Sequence, residues 1–172
     1  AAEWGMALGD ASRCLIVADL GAIASDVPVG HIAGKVGRKR TILVGICMLG
    51  GGFAFCAVWP FAGGGFSPVL YAVMVVLGMG WAAINVNSLP MVVEMCKGSD
   101  IGKFTGYYYT FSMAAQTVTP IVAGWLMANV SYRSLFVYAT VFVFASFVTM
   151  QSVHHGDTTN IEKRGLESFD AD

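Results

Sequence analysis

The chain of 172 residues is 56% apolar and only 12% charged, with a net charge of −1 and a mean hydropathy of +0.65. An ordinary soluble domain is about 25% charged, and a water-exposed surface this apolar would be a single large sticky patch, so composition puts the chain in the membrane class. The same composition excludes a nucleic-acid binder, which needs a basic, aromatic-interleaved face.

A helix that crosses a hydrocarbon layer of about 30 Å needs about 20 apolar residues. In chain order the first candidate is residues 14–32, weakened by Asp19 and Asp26, which lie seven apart and so share one helix face. Each carboxylate would cost about 3 kcal/mol at the bilayer centre. The pair reads either as proton- or cation-coupling groups lining a cavity or as a sign that this stretch is not a proper span; the cost favours the second.

Residues 30–40, GHIAGKVGRKR, follow as a basic loop holding Lys35, Arg38, Lys39 and Arg40, four of the ten cations in the chain. Its glycines form no phosphate cradle, because the strand-to-helix context is missing. Residues 41–61 are free of charge and form the second span, closed by the glycine-rich turn 61–68 with a proline suited to a helix start. Residues 68–93 form the third. Gly78, Trp81, Asn85 and Ser88 make a polar stripe along it: Trp81 can stack on a sugar ring while Asn85 bonds its hydroxyls, or Trp81 simply fills a helix interface. Asn87 points away from that stripe, Pro90 is expected to kink the helix, and Glu94 at its end is expected to pair with Lys97 or Lys103 as a gate.

After the polar turn 97–103, residues 104–127 form the fourth span. Thr105, Tyr108, Ser112, Gln116 and Thr119 are spaced three or four apart and lie on one face. Gln116 offers both donor and acceptor near mid-span, as a sugar hydroxyl requires; interhelical hydrogen bonding, worth about 0.6 kcal/mol per contact, is the competing role. Residues 129–133 are a turn and 135–153 the fifth span. Residues 154–172, with five acidic side chains, read as a solvated, partly disordered tail. Small residues four apart, at Gly50 and Ala54, Gly78 and Ala82, and Gly102 and Gly106, are expected to let helices approach closely. The four cysteines (Cys14, Cys47, Cys56, Cys96) lack zinc-site spacing and read as small buried hydrophobes. No Ser/His/Asp set or carboxylate pair supports catalysis, so neither an enzyme nor a metal or other cofactor is expected.

Eight cations (Lys35, Arg38, Lys39, Arg40, Lys97, Lys103, Lys163, Arg164) fall on one side of these spans and two (Arg13, Arg133) on the other. The positive-inside rule then places the basic loop and the C-terminus in the cytoplasm.

The pattern Gly30-x-x-x-Gly34-Lys35-x-Gly37-Arg38-Lys39-Arg40 resembles the loop of the major facilitator superfamily found between helices two and three and, more degenerate, between eight and nine. Gly34 stands where the family prefers aspartate, which favours the second copy and leaves the acid-centred part of the family's gating contacts without a counterpart. Residues 87–94, 102–109 and 120–124 resemble the tenth and eleventh helices of transporters near the sucrose and glycoside cation-symporter branch. The resemblance implies an all-α, polytopic helical bundle in which residues 1–153 are the C-terminal transmembrane part, equivalent to helices eight to twelve, with the N-terminal half missing. It implies alternating-access transport of a small polar solute, a sugar or glycoside, coupled to H+ or Na+, in the plasma membrane. Partners would be the solute, the coupling ion, the lipid bilayer and the missing half, with no nucleic acid. Candidate solute contacts are Gln116, Asn85, Trp81, Tyr108 and Ser112; candidate coupling or gating groups are Arg38, Lys35, Asp26, Asp19 and Glu94. A truncated membrane interaction module without transport of its own is the alternative.

Overall fold

The computed structural model describes residues 5–62, 66–96 and 98–154. All regular structure among them is helical: α1 (Leu8–Val36), α2 (Arg38–Val58), α3 (Val69–Glu94), α4 (Ile101–Asn129) and α5 (Ser134–Gln151), with single 3-10 turns at Trp59–Ala62 and Gly98–Asp100. All five are long and apolar enough to cross a membrane. In hydrocarbon every backbone polar group must be paired within its own segment, and unbroken helices satisfy that demand. The short polar side chains follow the same logic by bonding back one turn. Thr117 Oγ1 donates to the Met113 carbonyl at 2.9 Å, Thr140 Oγ1 to Phe136 at 2.7 Å and Asn129 Nδ2 to Trp125 at 2.9 Å.

Residues 14–32, which the two aspartates put in question, form the middle of the 29-residue helix α1. Asp19 and Asp26 are both exposed, so neither carboxylate is buried in the packed core. The expected eleven-residue basic loop is also corrected. α1 continues through Lys35 and Val36, α2 begins at Arg38, and Gly37 alone joins them at φ 106° and ψ 142°. That conformation is poor for any residue with a Cβ. The Gly37 amide caps α1 by donating to the Ala33 carbonyl at 3.0 Å, while its own carbonyl accepts from the Thr41 amide at 3.2 Å and hydroxyl at 2.9 Å. The turn is thus closed by its own backbone, with no loop to spare.

α3 is the hub. It packs most extensively on α1, then on α2, while α5 packs chiefly on α2. These crossings are close because glycines sit in them. A Cβ at Gly78 would collide with the Ala18 carbonyl and stand 2.9 Å from the Ala22 amide of α1. One at Gly45 would meet Ala83 Cβ and the Gly80 carbonyl, both at 2.8 Å. Gly50 faces Val143 of α5 at 3.3 Å. Gly102 and Gly106 do not fit the expectation: nothing lies within 4 Å of a Cβ at either. They belong to α4, which packs sparsely on α3 and α5 and whose one buried residue is Ala123.

An apolar cluster joins Ile42 and Ile46 of α2 to Met91 of α3, with Val143, Phe147 and Met150 of α5 packed against it. Outward-facing side chains such as Ile16 and Val27 on α1, and Phe111 and Ile121 on α4, are large, apolar and exposed, as a lipid-facing surface requires. Cys14 and Cys56 are buried as expected, whereas Cys47 is exposed on the α2 surface. The tail reading rests on residues that lie, from 155 onward, outside the described ones.

Candidate functional site

Two places gather the candidate residues. The first is the basic end of the bundle, where the α1–α2 turn, the end of α3 and the end of α5 meet. Arg38 opens α2, where the helix dipole disfavours a cation, and Glu94 closes α3. Arg38 Nε and Nη2 both reach Glu94 Oε1 at 2.7 Å. The two side chains are 20% and 23% exposed, so the pair is shielded but wet. Glu94 therefore bonds the basic turn. Lys103 lies over the Tyr107 ring, 5.9 Å from its centre, and Lys97 falls outside the described residues.

Lys39, the next residue, holds a helix end instead of a side chain. Its ammonium donates to the carbonyls of Gln151, at 2.9 Å, and of Val153. These belong to the frayed end of α5, where carbonyls lack intrahelical partners and the dipole favours a cation. Adjacent residues of one turn thus hold two different helices. Lys35, in the last turn of α1, stays exposed.

The second place is a cavity of about 430 Å³ bounded by α1, α2, α3 and the start of α5. Asp19 and Trp81 both line it, together with apolar side chains that include Leu15, Phe53, Leu77 and Phe136. Its size lies within the range of small-molecule sites. Trp81 is 59% exposed, so its ring offers an open face. One turn on, the Asn85 amide nitrogen donates to the Trp81 carbonyl at 3.0 Å, which leaves the Asn85 oxygen as the unengaged acceptor. Gly78, which also lines the cavity, admits α1 close against α3, so that residues of both helices share it.

The stripe on α4 lies elsewhere. Tyr108 and Ser112 are half-buried and Gln116 is exposed. Gln116 Nε2 donates to Ser112 Oγ at 3.2 Å, so one of the two amide protons is committed within the helix. None of the three lines the Asp19 cavity, and neither do Asn85 and Asp26. Among the described residues the structure therefore brings Asp19 to Trp81, and Arg38 to Glu94, but joins neither group to Gln116.

Two details lay beyond the sequence: which helix end Lys39 holds, and how deeply Asn87 is buried. Lys39 looked like one more cation of a loop, and nothing in its local spacing pointed to α5. Asn87 is completely buried, with Nδ2 donating to the Ala83 carbonyl at 2.8 Å and no partner for Oδ1 among the described residues. Glycines seven apart at 45 and 52 were the available sign that α2 and α3 cross closely beside it.

No curated protein and no solved structure gives a match. The family model described as Major Facilitator Superfamily matches residues 2–167, which spans all five helices and both groups of candidate residues. The chain belongs to the major facilitator superfamily, a family of membrane transporters.

Proposed function

We propose that this bundle is the C-terminal part, helices eight to twelve, of a carrier that moves a small polar solute, a sugar or glycoside, by alternating access coupled to H+ or Na+. The observation that carries this reading is the meeting of Asp19 and Trp81 on one cavity of about 430 Å³. An indole face stacks on the apolar face of a sugar ring. A carboxylate beside it accepts hydroxyl protons and is also able to take up the coupling proton. Asn85 adds an amide oxygen at the edge of the site. Gln116, Tyr108 and Ser112 on α4 would contact solute from the side on which the other half of the carrier closes, since such sites lie between two repeats at mid-membrane. Asp26 would relay the coupling ion along the same face of α1.

Arg38, Glu94 and Lys35 act as the latch of the basic end. The eight-to-two distribution of cations supports a cytoplasmic location for that end and for the C-terminus of a plasma-membrane protein. The test is uptake of labelled sugars and glycosides into sealed vesicles holding the whole carrier, with and without a pH gradient. Gradient-driven uptake of one sugar, weakened by Trp81→Ala and uncoupled from pH by Asp19→Asn, is the expected result. Uptake indifferent to both substitutions would remove this cavity from the solute path.

A further inference from the structure

The basic turn holds four cations, and among the described residues two of them make no side-chain bond within the bundle. Arg38 engages Glu94 and Lys39 engages the end of α5. Lys35 and Arg40 are exposed, and their side chains make no ion pair or hydrogen bond among the described residues. Arg40 is placed at the mouth of a groove of about 170 Å³ that runs between α1 and α2 with α3 as its floor. Below Arg40 the walls are wholly apolar side chains, among them Ile32, Val36, Val44, Met48 and Met79, apart from the Thr41 hydroxyl, which is turned to the Gly37 carbonyl. Ile32, Val36 and Val44 are each about half exposed, so the groove opens outward from the bundle.

We propose that this groove seats one acyl chain of an anionic phospholipid, whose phosphate is held by Arg40 with Lys35 beside it. The placement follows from depth and charge together. Arg40 lies at the first turn of α2, at the level where a spanning helix leaves the hydrocarbon, and eight residues of α2, about 12 Å, run from it down the groove to Met48. A snorkelling guanidinium at that depth meets phosphate rather than acyl carbon, and it binds phosphate through paired N–H donors. No acidic side chain lines the groove to compete for it. The neighbouring groove between α2 and α5, lined by Ile46, Cys47, Gly51 and Phe144 among others, has no cation at its mouth. It would take acyl chains without regard to headgroup.

The test titrates the purified whole carrier in detergent with dioleoylphosphatidylglycerol and with dioleoylphosphatidylcholine, reading bound lipid. Tighter binding of the anionic lipid is expected. Arg40→Gln should weaken it about fivefold, the effect of one basic side chain near an anionic surface, and Arg40→Lys should keep most of it. Val44→Trp, which fills the groove, should weaken both lipids. Equal binding of the two lipids, or unchanged binding in Arg40→Gln, would overturn the proposal. So would competition by soluble glycerol 3-phosphate at the lipid's own concentration, which would mean a phosphate site alone. A photoreactive group at position 44 that captures protein in place of lipid would equally overturn it, by showing that another helix of the carrier covers the groove.

Discussion

The same substitution, glycine to alanine, should have opposite effects at two positions of this bundle. In a helix interior the change gains about 1 kcal/mol, because alanine restricts the unfolded chain and favours the helix. At Gly106 of α4 nothing lies within 4 Å of the added methyl, so the gain is kept. At Gly78 of α3 the methyl would stand against the Ala18 carbonyl and 2.9 Å from the Ala22 amide. Those are backbone atoms of another helix and cannot turn aside as a flexible side chain would. α1 must move away as a unit, loosening its contacts with α3, at an overpacking cost of about 1–3 kcal/mol. Gly78→Ala should therefore be neutral to destabilising by about 2 kcal/mol, and Gly106→Ala stabilising by about 1 kcal/mol. Reversible unfolding of the purified protein in mixed detergent micelles measures both. Equal shifts in the two variants would refute the claim that α1 and α3 touch through Gly78.

The other predictions concern the basic end and the α4 stripe. Arg38→Ala and Glu94→Ala combined in a double-mutant cycle should show coupling of about 1 kcal/mol, between the values for exposed and buried pairs given their one-fifth exposure. Additive effects would dissolve the pair. In the transporting carrier Arg38→Ala should slow turnover more than it weakens solute binding; unchanged turnover in vesicles would end its role as a latch. Lys39→Met keeps the aliphatic stem and removes the ammonium, so it should speed hydrogen exchange at the end of α5 and leave α1 protected; unaltered exchange there would show that the two carbonyl bonds do not hold the helix. Gln116→Ala should weaken solute binding at equal surface expression, and unaltered binding would return Gln116 to a purely structural role through Ser112.

Four of the spans were legible because hydrocarbon imposes one rule on every residue: about 20 mostly apolar positions read the same wherever they sit; the first was put in doubt by Asp19 and Asp26, and it is a helix of spanning length. The ends were harder. Residues 30–40 looked like a loop because glycine and lysine are loop formers in water. At a membrane surface, however, a helix continues past Gly34 and Lys35 until a position such as Gly37 turns the chain outright. The pairing of Arg38 with Glu94 joins residues 56 apart, a separation that no helical periodicity reports. Asp19 was visible as a costly carboxylate, and its partner Trp81 as a stripe residue. What brings them to one cavity is the Gly78 crossing of α1 on α3, a fact of packing rather than of pattern. The small-residue rule found Gly78 but also Gly106, since spacing alone does not say which face a neighbour will cover.

Lys39 and the carbonyl it holds are separated by 112 residues. A ribosome adding about 5–20 residues per second therefore needs roughly 6–22 s after making the lysine before the far end of α5 exists. During that interval α1, α2 and α3 can already meet through Gly78 and Gly45, while the clasp to α5 has nothing to close on. Assembly of the bundle in the membrane is thus divided in time, with a glycine-packed triad able to form before its basic end is fastened by α5.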